Sequence, residues 1–243
     1  MKHILSFSGG KDSTFLLLEL IRRKYPLDEV VFFDTGWEFP VMYEHIAKCK
    51  KICEEHGIKF VPLHPPFHFD EIFEKYSWCG GVCRWGTFYK TATLDKYFKN
   101  NDGAVQYIGI AADETVRLEK ERKDFKRFPL AEWGITEAEC LQGCYDAGFD
   151  WGGMYEHLDR LSCKFCKNKN LKELRNIRKH YPEVWEELQD YQRQTDRPYK
   201  GEGKSVFDLE KRFEFEERRI AQGLSITSKE FYRELKNLLK GGE

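Results

Sequence analysis

Two groups of residues in this 243-residue chain have types and spacings that could do chemistry. The first is Ser6-Phe7-Ser8-Gly9-Gly10-Lys11-Asp12-Ser13-Thr14. Its glycines let the backbone approach an anion closely, and amides opening the helix that follows would point at that anion along the favourable end of the dipole. Ser8 and Ser13 add hydroxyl donors, and Lys11 adds positive charge. The second group is Cys163-Lys164-Phe165-Cys166. Such a pair offers two sulfurs from one tight turn and, with a second pair, completes a tetrahedral zinc site or a cubane cluster site. Cys79-Gly80-Gly81-Val82-Cys83 forms a loop able to bend round a metal. A thioredoxin-like redox pair is the rival reading of the Cys-x-x-Cys. That reading wants the motif to open a helix after the first strand, and this one comes late, in a loop.

The elements that must position these groups are legible around them. His3-Ile4-Leu5 predicts a buried strand and Thr14 to Ile21 a helix, so the glycine loop joins a strand to a helix. A second strand, Val30 to Phe33, ends in Asp34-Thr35-Gly36-Trp37-Glu38-Phe39-Pro40. Open α/β sheets bind ligands at carboxyl ends of strands, where Asp34 and Thr35 would meet a ribose or a base edge. Residues 41–56 read as a helix carrying Cys49 and Cys53 on one face, as buried thiols. Lys59 to Pro62 is a third strand, and a helix over about 87–99 carries Lys90 near its start. The fourth strand, Val105 to Ile110, holds Gly109, where a base or phosphate could come close. Beyond it, Asp113 and Glu114 could hold Mg²⁺ or cap the following helix, and Arg117 could pair with them or with a phosphate. Thr136 and Glu139 form a capping box opening a helix with Cys140 and Cys144. From Leu171 the sequence turns to amphipathic helices, the last two over 206–222 and 227–240. Lys211, Arg212, Arg218 and Arg219 there could grip a substrate or a nucleic acid.

Strands alternating with helices predict an α/β fold, a parallel twisted sheet with helices on both faces. The expected divisions are a nucleotide-binding α/β domain over 1–135, a helix and Cys-x-x-Cys region over 136–170, and a helical C-terminal region over 171–243. A net charge of −1 gives no global argument for nucleic-acid or membrane affinity. No apolar run approaches the roughly 20 residues of a membrane span. Met1-Lys2 runs straight into the first strand, so a cytoplasmic location is expected. Eight cysteines there read as thiols or metal ligands rather than disulfides.

A Walker loop needs Gly-Lys-Ser/Thr, and Gly10-Lys11 is followed by Asp12. The stretch instead resembles the Ser-Gly-Gly-x-Asp-Ser signature of the PP-loop ATP pyrophosphatases. Asp34 to Pro40, Ile108-Gly109-Ile110 with Asp113-Glu114 and Arg117, and Pro129-Leu130 with Trp133 resemble segments of their phosphoadenosine phosphosulfate reductase-like branch. That resemblance implies an adenine nucleotide alpha hydrolase-like fold. It also implies ATP or a related adenine nucleotide with Mg²⁺, held by Ser6, Ser8, Gly9, Gly10, Asp12, Ser13, Asp34, Thr35, Gly109, Ile110, Asp113 and Glu114. Lys11, Asp12, Lys90 and Arg117 become candidates for catalytic roles. The iron–sulfur members pair a Cys-x-x-Cys with two upstream cysteines before a lysine-bearing helix. Arg84-Trp85-Gly86-Thr87-Phe88-Tyr89-Lys90 has Gly where the branch often has Cys; by the resemblance, Cys79 and Cys83 just upstream are the candidates to join Cys163 and Cys166, with Cys144 as a possible substitute for either.

A [4Fe–4S] cluster is the expected centre, with Zn²⁺ as the alternative. The reductases attack with a cysteine in a Glu-Cys-Gly-Leu-His tail, and the stretch Lys236 to Glu243 has no such residue. The expectation is an ATP-dependent, AMP-forming transferase of sulfur transfer. Its acceptor could be a nucleic acid; a sulfur donor that the sequence does not identify and no membrane partner are expected, and the chain could form an oligomer. The alternatives are a sulfonucleotide reductase and a zinc-stabilised nucleotide-binding module that acts with a partner.

Overall fold

A computed structural model describes residues 1–121 and 124–240. Gly241-Gly242-Glu243, the end of the stretch read above for a tail cysteine, lies outside the described residues. The strands are β1 (His3–Phe7), β2 (Glu29–Phe33), β3 (Lys59–Leu63), β4 (Val105–Ile108) and β5 (Lys126–Arg127). In chain order the helices begin α1 (Lys11–Arg22), α2 (Pro40–Glu55), α3 (Phe69–Tyr76), α4 (Lys90–Lys99), α5 (Thr115–Glu121) and α6 (Pro129–Glu132). They continue with α7 (Glu137–Asp146), α8 (Met154–His157), α9 (Leu171–His180), α10 (Pro182–Arg193), α11 (Val206–Ala221) and α12 (Lys229–Lys240).

The chain divides into two compact units, one formed by Met1–Phe69 with Arg84–Lys164, the other by Asp70–Cys83 with the chain from Phe165 onward. This grouping joins α7, α8 and the loop to Lys164 with the sheet, whereas the division drawn from the sequence sets 136–170 apart.

The first unit is the α/β unit, a parallel sheet in the order β3-β2-β1-β4-β5 with helices on its faces. From β1 the strands step outward to β2 and β3, then the chain returns to lay β4 against the other side of β1. That reversal makes the carboxyl ends of β1 and β4 the switch point where such sheets bind ligands. Every residue of β2 is buried, as its unbroken apolar run requires of an inner parallel strand. Its one carboxylate, Glu29, is held below the usual range although burial works the other way; Lys2, Tyr97 and Lys59 all bond to it. β5 is an addition to the four strands expected, and at two residues it is too short to show a period. A π-helical turn, Arg84–Tyr89, precedes α4 and carries the chain into the helix that presents Lys90.

The second unit is helical. Trp78, in the loop between α3 and Cys79, is enclosed by Phe73 and Tyr199, at ring distances of 4.8 and 5.0 Å. Two of its C-terminal cations are spent internally. Arg212 bonds Glu216 at 2.7 Å, and the nearly buried Arg219 bonds Glu234, Glu230 and the Ser225 carbonyl. The expectation that these two grip a ligand is corrected: each neutralises a buried or half-buried carboxylate of its own unit. Lys211 and Arg218 are exposed.

Candidate functional site

The glycine loop is a strand–turn–helix unit as expected, with β1 ending at Phe7 and α1 starting at Lys11. Gly9 sits in the left-handed region at φ +77, and a Cβ there would come within 2.9 Å of the Met42 side chain. Inside the turn, the Ser8 amide donates to Ser13 Oγ at 3.2 Å, and the Ser13 hydroxyl donates to the Gly10 carbonyl at 3.0 Å. The Ser8 and Ser13 hydroxyls lie 3.1 Å apart. Gly10 caps α1 in extended conformation without a side chain, so no capping side chain occupies the amides that follow Lys11. Ser6 is the penultimate residue of β1, just before the loop. Its hydroxyl accepts from Gln106 Nε2 at 2.8 Å, tying β1 to β4.

Support for the loop comes from far along the chain, and the sequence reading missed it. The Trp151 indole donates to the Gly9 carbonyl at 2.8 Å, and the Lys11 amide donates to Tyr155 Oη at 2.7 Å. Trp151 is buried with φ +50, the first of three successive left-handed residues. A bulky side chain costs on the order of 1–2 kcal/mol in that region. The two glycines after Trp151 were the only signal of this bend. His45 lies beneath the loop, its Nε2 2.9 Å from Thr14 Oγ1 and 3.5 Å from Cys49 Sγ. Burial, aided by Lys48, holds its pKa down to about 4.

This buried imidazole sets an expected pH response. Above its ordinary value of about 6.5 the ring is neutral whether the chain is folded or not. Between that value and the folded value of about 4, only the unfolded chain holds the proton, so stability is lost as pH falls. The loss between pH 7.5 and pH 5 from this group is about 2 kcal/mol. Urea denaturation at both pH values should show that difference shrinking in His45→Gln; an unchanged pH dependence would remove His45 as its source.

Charge gathers at the mouth of the loop. Lys11 Nζ bonds Asp12 Oδ1 at 3.0 Å and Glu137 Oε1 at 2.5 Å. Burial alone would lower the Lys11 pKa, but the bond to Glu137 and the field of Asp12 raise it. Burial raises the Asp12 carboxyl, against the pull of Lys11. Asp12, Glu114 and Glu137 each bring a carboxylate oxygen within 4.8 Å of the others. Glu137 was not singled out from the sequence, where it reads only as the first residue of a capped helix. The box that caps it is present, with Thr136 and Glu139 bonded reciprocally. Asp113 accepts from the Glu137 amide at 3.1 Å and so anchors that helix, while Glu114 accepts from the Ala111 amide and from Arg117 at 2.9 Å.

Gly109 lies where β4 meets α1. A Cβ at this position would stand 2.9 Å from Asp12 C and from Ser13 N. The space expected for a ligand beside Gly109 is thus taken by the first turn of α1, and Ile110 after it is fully buried. At the end of β2, Asp34 accepts from the Gly36 amide at 2.8 Å and from Tyr43 Oη at 3.0 Å. Thr35 is buried and donates to Glu38 at 2.7 Å. Lys90 sits amid protein atoms, and that burial lowers its pKa; Glu38 and the Cys163 thiol oppose the shift and Arg117 reinforces it. The Lys164 amide donates to the Trp37 carbonyl at 2.9 Å, which carries Cys163 to the turn after β2.

None of the eight cysteines is joined in a disulfide. Cys144 is fully buried, donates toward the Lys11 carbonyl at 3.4 Å and is pushed up to about 12 by burial. Cys53 is also pushed up to about 12 by burial, and Cys49 and Cys140 are raised for the same reason. Cys79, Cys83, Cys163 and Cys166 are only half-buried. Within the second unit Lys167 Nζ donates to the Cys79 carbonyl at 2.9 Å, and Tyr199 Oη donates to the Cys166 carbonyl at 2.7 Å. The Lys167 side chain thus ties the backbone at Cys79 to the residue after Cys166. No helix among the described residues is long and apolar enough to cross a membrane.

Comparison with known proteins adds three similarities and a family. An uncharacterized protein from Methanocaldococcus jannaschii is 25% identical over 216 residues, which cover 79% of this chain and 41% of the relative. The chain thus spans about two-fifths of the length of that relative. Among solved structures, the U34-tRNA thiolase NcsA from Methanococcus maripaludis with its [4Fe-4S] cluster superposes at a TM-score of 0.43 and 16% identity, over 94% of this chain and 74% of that one. A predicted subunit of tRNA methyltransferase from M. jannaschii superposes at 0.32 and 14% identity, over 63% and 90%. The phosphoadenosine phosphosulfate reductase domain matches residues 2–138, more than half of the chain. With its glycine loop between β1 and α1 and its sheet reversing between β1 and β4, the chain belongs to the phosphoadenosine phosphosulfate reductase domain family.

Proposed function

We propose that this protein is an ATP-dependent, AMP-forming enzyme of sulfur transfer whose α/β unit binds the nucleotide and whose cysteines hold a metal centre. The observation that carries the nucleotide half is the meeting of the Ser8–Ser13 loop with Lys11, Asp12, Glu114 and Glu137 at the start of α1. Backbone amides and serine hydroxyls suit a pyrophosphate, and Lys11 offsets its charge. Three carboxylates within reach of one another are an all-oxygen donor set of the kind Mg²⁺ takes, usually with several waters retained. The ion would help neutralise the leaving pyrophosphate. Asp34 and Thr35 at the end of β2 are the residues proposed for the adenosine, and Lys90 and Arg117 for the substrate phosphates. These groups bind and orient the phosphates for in-line transfer, which supplies most of what this chemistry asks of a protein.

For the metal we propose Cys79, Cys83, Cys163 and Cys166 as ligands, on their spacing in the sequence. Half-buried thiolates are the soft donors that iron–sulfur clusters and zinc prefer. Trp78 Nε1, beside Cys79, is buried without an acceptor, and a metal-bound sulfur would give it one. An iron–sulfur cluster supplies sulfur chemistry when bound; zinc would supply structure only. The division into a nucleotide region over 1–135, a Cys-x-x-Cys region over 136–170 and a helical region over 171–243 is proposed as a division of labour.

Purified protein with ATP and Mg²⁺ should release pyrophosphate when offered an acceptor of the right class. Glu137→Gln removes one of the three carboxylates and a partner of Lys11. It should raise the Mg²⁺ concentration for half-maximal release by roughly tenfold. Protein that neither binds ATP nor releases pyrophosphate across a panel of nucleic-acid and small-molecule acceptors would overturn the proposal. A second reading, sulfonucleotide reduction, predicts thiol-dependent release of sulfite from adenylyl sulfate or its 3′-phosphate.

A further inference from the structure

The second unit contains a cavity of about 390 Å³ beside Cys79 whose lining carries Lys167, Arg197 and Lys200 and no acidic residue. Three of its nine lining residues are thus cations, with no carboxylate among the other six. They are also held in place. Lys167 Nζ donates to the Cys79 carbonyl at 2.9 Å and to the Gly81 carbonyl. Lys200 Nζ donates to the carbonyls of Lys167 and Lys169, the second at 2.5 Å. The Arg197 guanidinium lies against Gly80, in the space a Cβ there would need, and Nη1 reaches the Tyr76 carbonyl at 3.5 Å. Carbonyl dipoles orient an ammonium without cancelling its charge, unlike the carboxylates that neutralise Arg212 and Arg219 in the same unit. Glu173 is the acid within electrostatic reach of Lys200, and it is buried, with Oε2 accepting from the Asn170 amide at the start of α9. Thiolates at Cys79 and Cys166 would take up part of the charge, but the cations line an open cavity that an anion can enter from solvent.

We propose that this pocket binds a phosphate group, as carried by a polynucleotide backbone or by free phosphate. Two ammonium groups and one planar guanidinium are the mix that recognises phosphate oxygens. The pocket lies in a different unit from the glycine loop, and it does not depend on the nucleotide reading above.

The test uses the full chain, as wild type and as Arg197→Gln, with two probes: a labelled single-stranded oligouridylate and inorganic phosphate. Arg197 is exposed and bonds a single backbone carbonyl, so its replacement should leave the fold intact; Lys200→Gln serves as a second variant. The expected result is a three- to tenfold weaker affinity in the variant for the probe the pocket recognises, with ATP affinity unchanged. If the oligonucleotide is the source, the slope of log affinity against log salt should also shrink by about 0.7, the value of one single-strand phosphate contact. Weakened binding of inorganic phosphate alone supports the pocket with free phosphate as its ligand. If neither variant changes the affinity for either probe, the proposal is overturned. Protein that fails to bind ATP while Arg197→Gln weakens the oligonucleotide would overturn the nucleotide reading and leave the pocket standing.

Discussion

Replacing Gly109 by Ala should weaken ATP binding at least tenfold, although residue 109 need never touch the nucleotide. The added Cβ would stand 2.9 Å from the backbone at Asp12 and Ser13, and 3.0 Å from the Asp12 carbonyl oxygen. Backbone cannot swing aside as a side chain does, so the first turn of α1 has to move. That turn carries the Ser13 hydroxyl, the Lys11 ammonium and the uncapped amides, and a displacement of about 1 Å is enough to spoil a phosphate cradle. A tenfold loss corresponds to about 1.4 kcal/mol of binding. Overpacking of this kind also costs typically 1–3 kcal/mol of stability.

Gly103→Ala separates the two effects. Gly103 has φ +75 and open space around its missing Cβ, so Ala there should cost on the order of 1 kcal/mol of stability and leave ATP affinity intact. Calorimetric titration of both variants with ATP, beside urea denaturation, makes the comparison. Equal ATP affinity in Gly109→Ala and wild type would show that the start of α1 does not set the site.

How far the site was legible follows from how local its signals are. The glycine loop, the second strand with Asp34-Thr35 and the capping box at Thr136 all lie within a few residues of the features that define them, and each appears where it was expected. Glu137 was not legible because its partner is 126 residues away, and nothing near it in sequence distinguishes it from any acidic residue in a first helical turn. Trp151 and Tyr155 support the loop from 142 and 144 residues away. An aromatic residue in a glycine-rich bend has no period to betray what it faces.

Gly109 shows a subtler shortfall. The sequence marks a point of close approach but not what approaches, and the partner is α1 itself. Asp113 likewise carries two readings, ligand or cap of the following helix, and the bond it makes fits neither: it accepts from the Glu137 amide of α7, 24 residues on. The charged C-terminal helices were ambiguous for the opposite reason. Mixed charge reads the same whether a cation faces solvent or, like Arg219, is buried among carboxylates.

Cys166→Ser should lower the metal content of anaerobically purified protein at least tenfold, whereas Cys144→Ser should leave it unchanged. The two residues differ in what their thiols can do. Cys144 is fully buried, its thiol is pushed up to about 12, and it already serves as a donor toward the Lys11 carbonyl, a role a serine hydroxyl can take over. A metal ligand must be a thiolate, and burial without a compensating charge opposes that. Cys166 is half-buried, next to Lys167, with its carbonyl fixed by Tyr199. Hydroxyl oxygen is a far poorer ligand than thiolate for iron or zinc, so losing one of four sulfurs should empty the site.

Quantifying iron, acid-labile sulfide and zinc in wild type and both variants gives the answer in one preparation. Iron with sulfide lost in Cys166→Ser supports the cluster and the sulfur-transfer proposal. Zinc lost in the same variant supports a structural centre and a nucleotide-binding module. Metal that survives Cys166→Ser but disappears in Cys144→Ser would overturn the ligand set and move the centre to the buried thiols around α1 and α7.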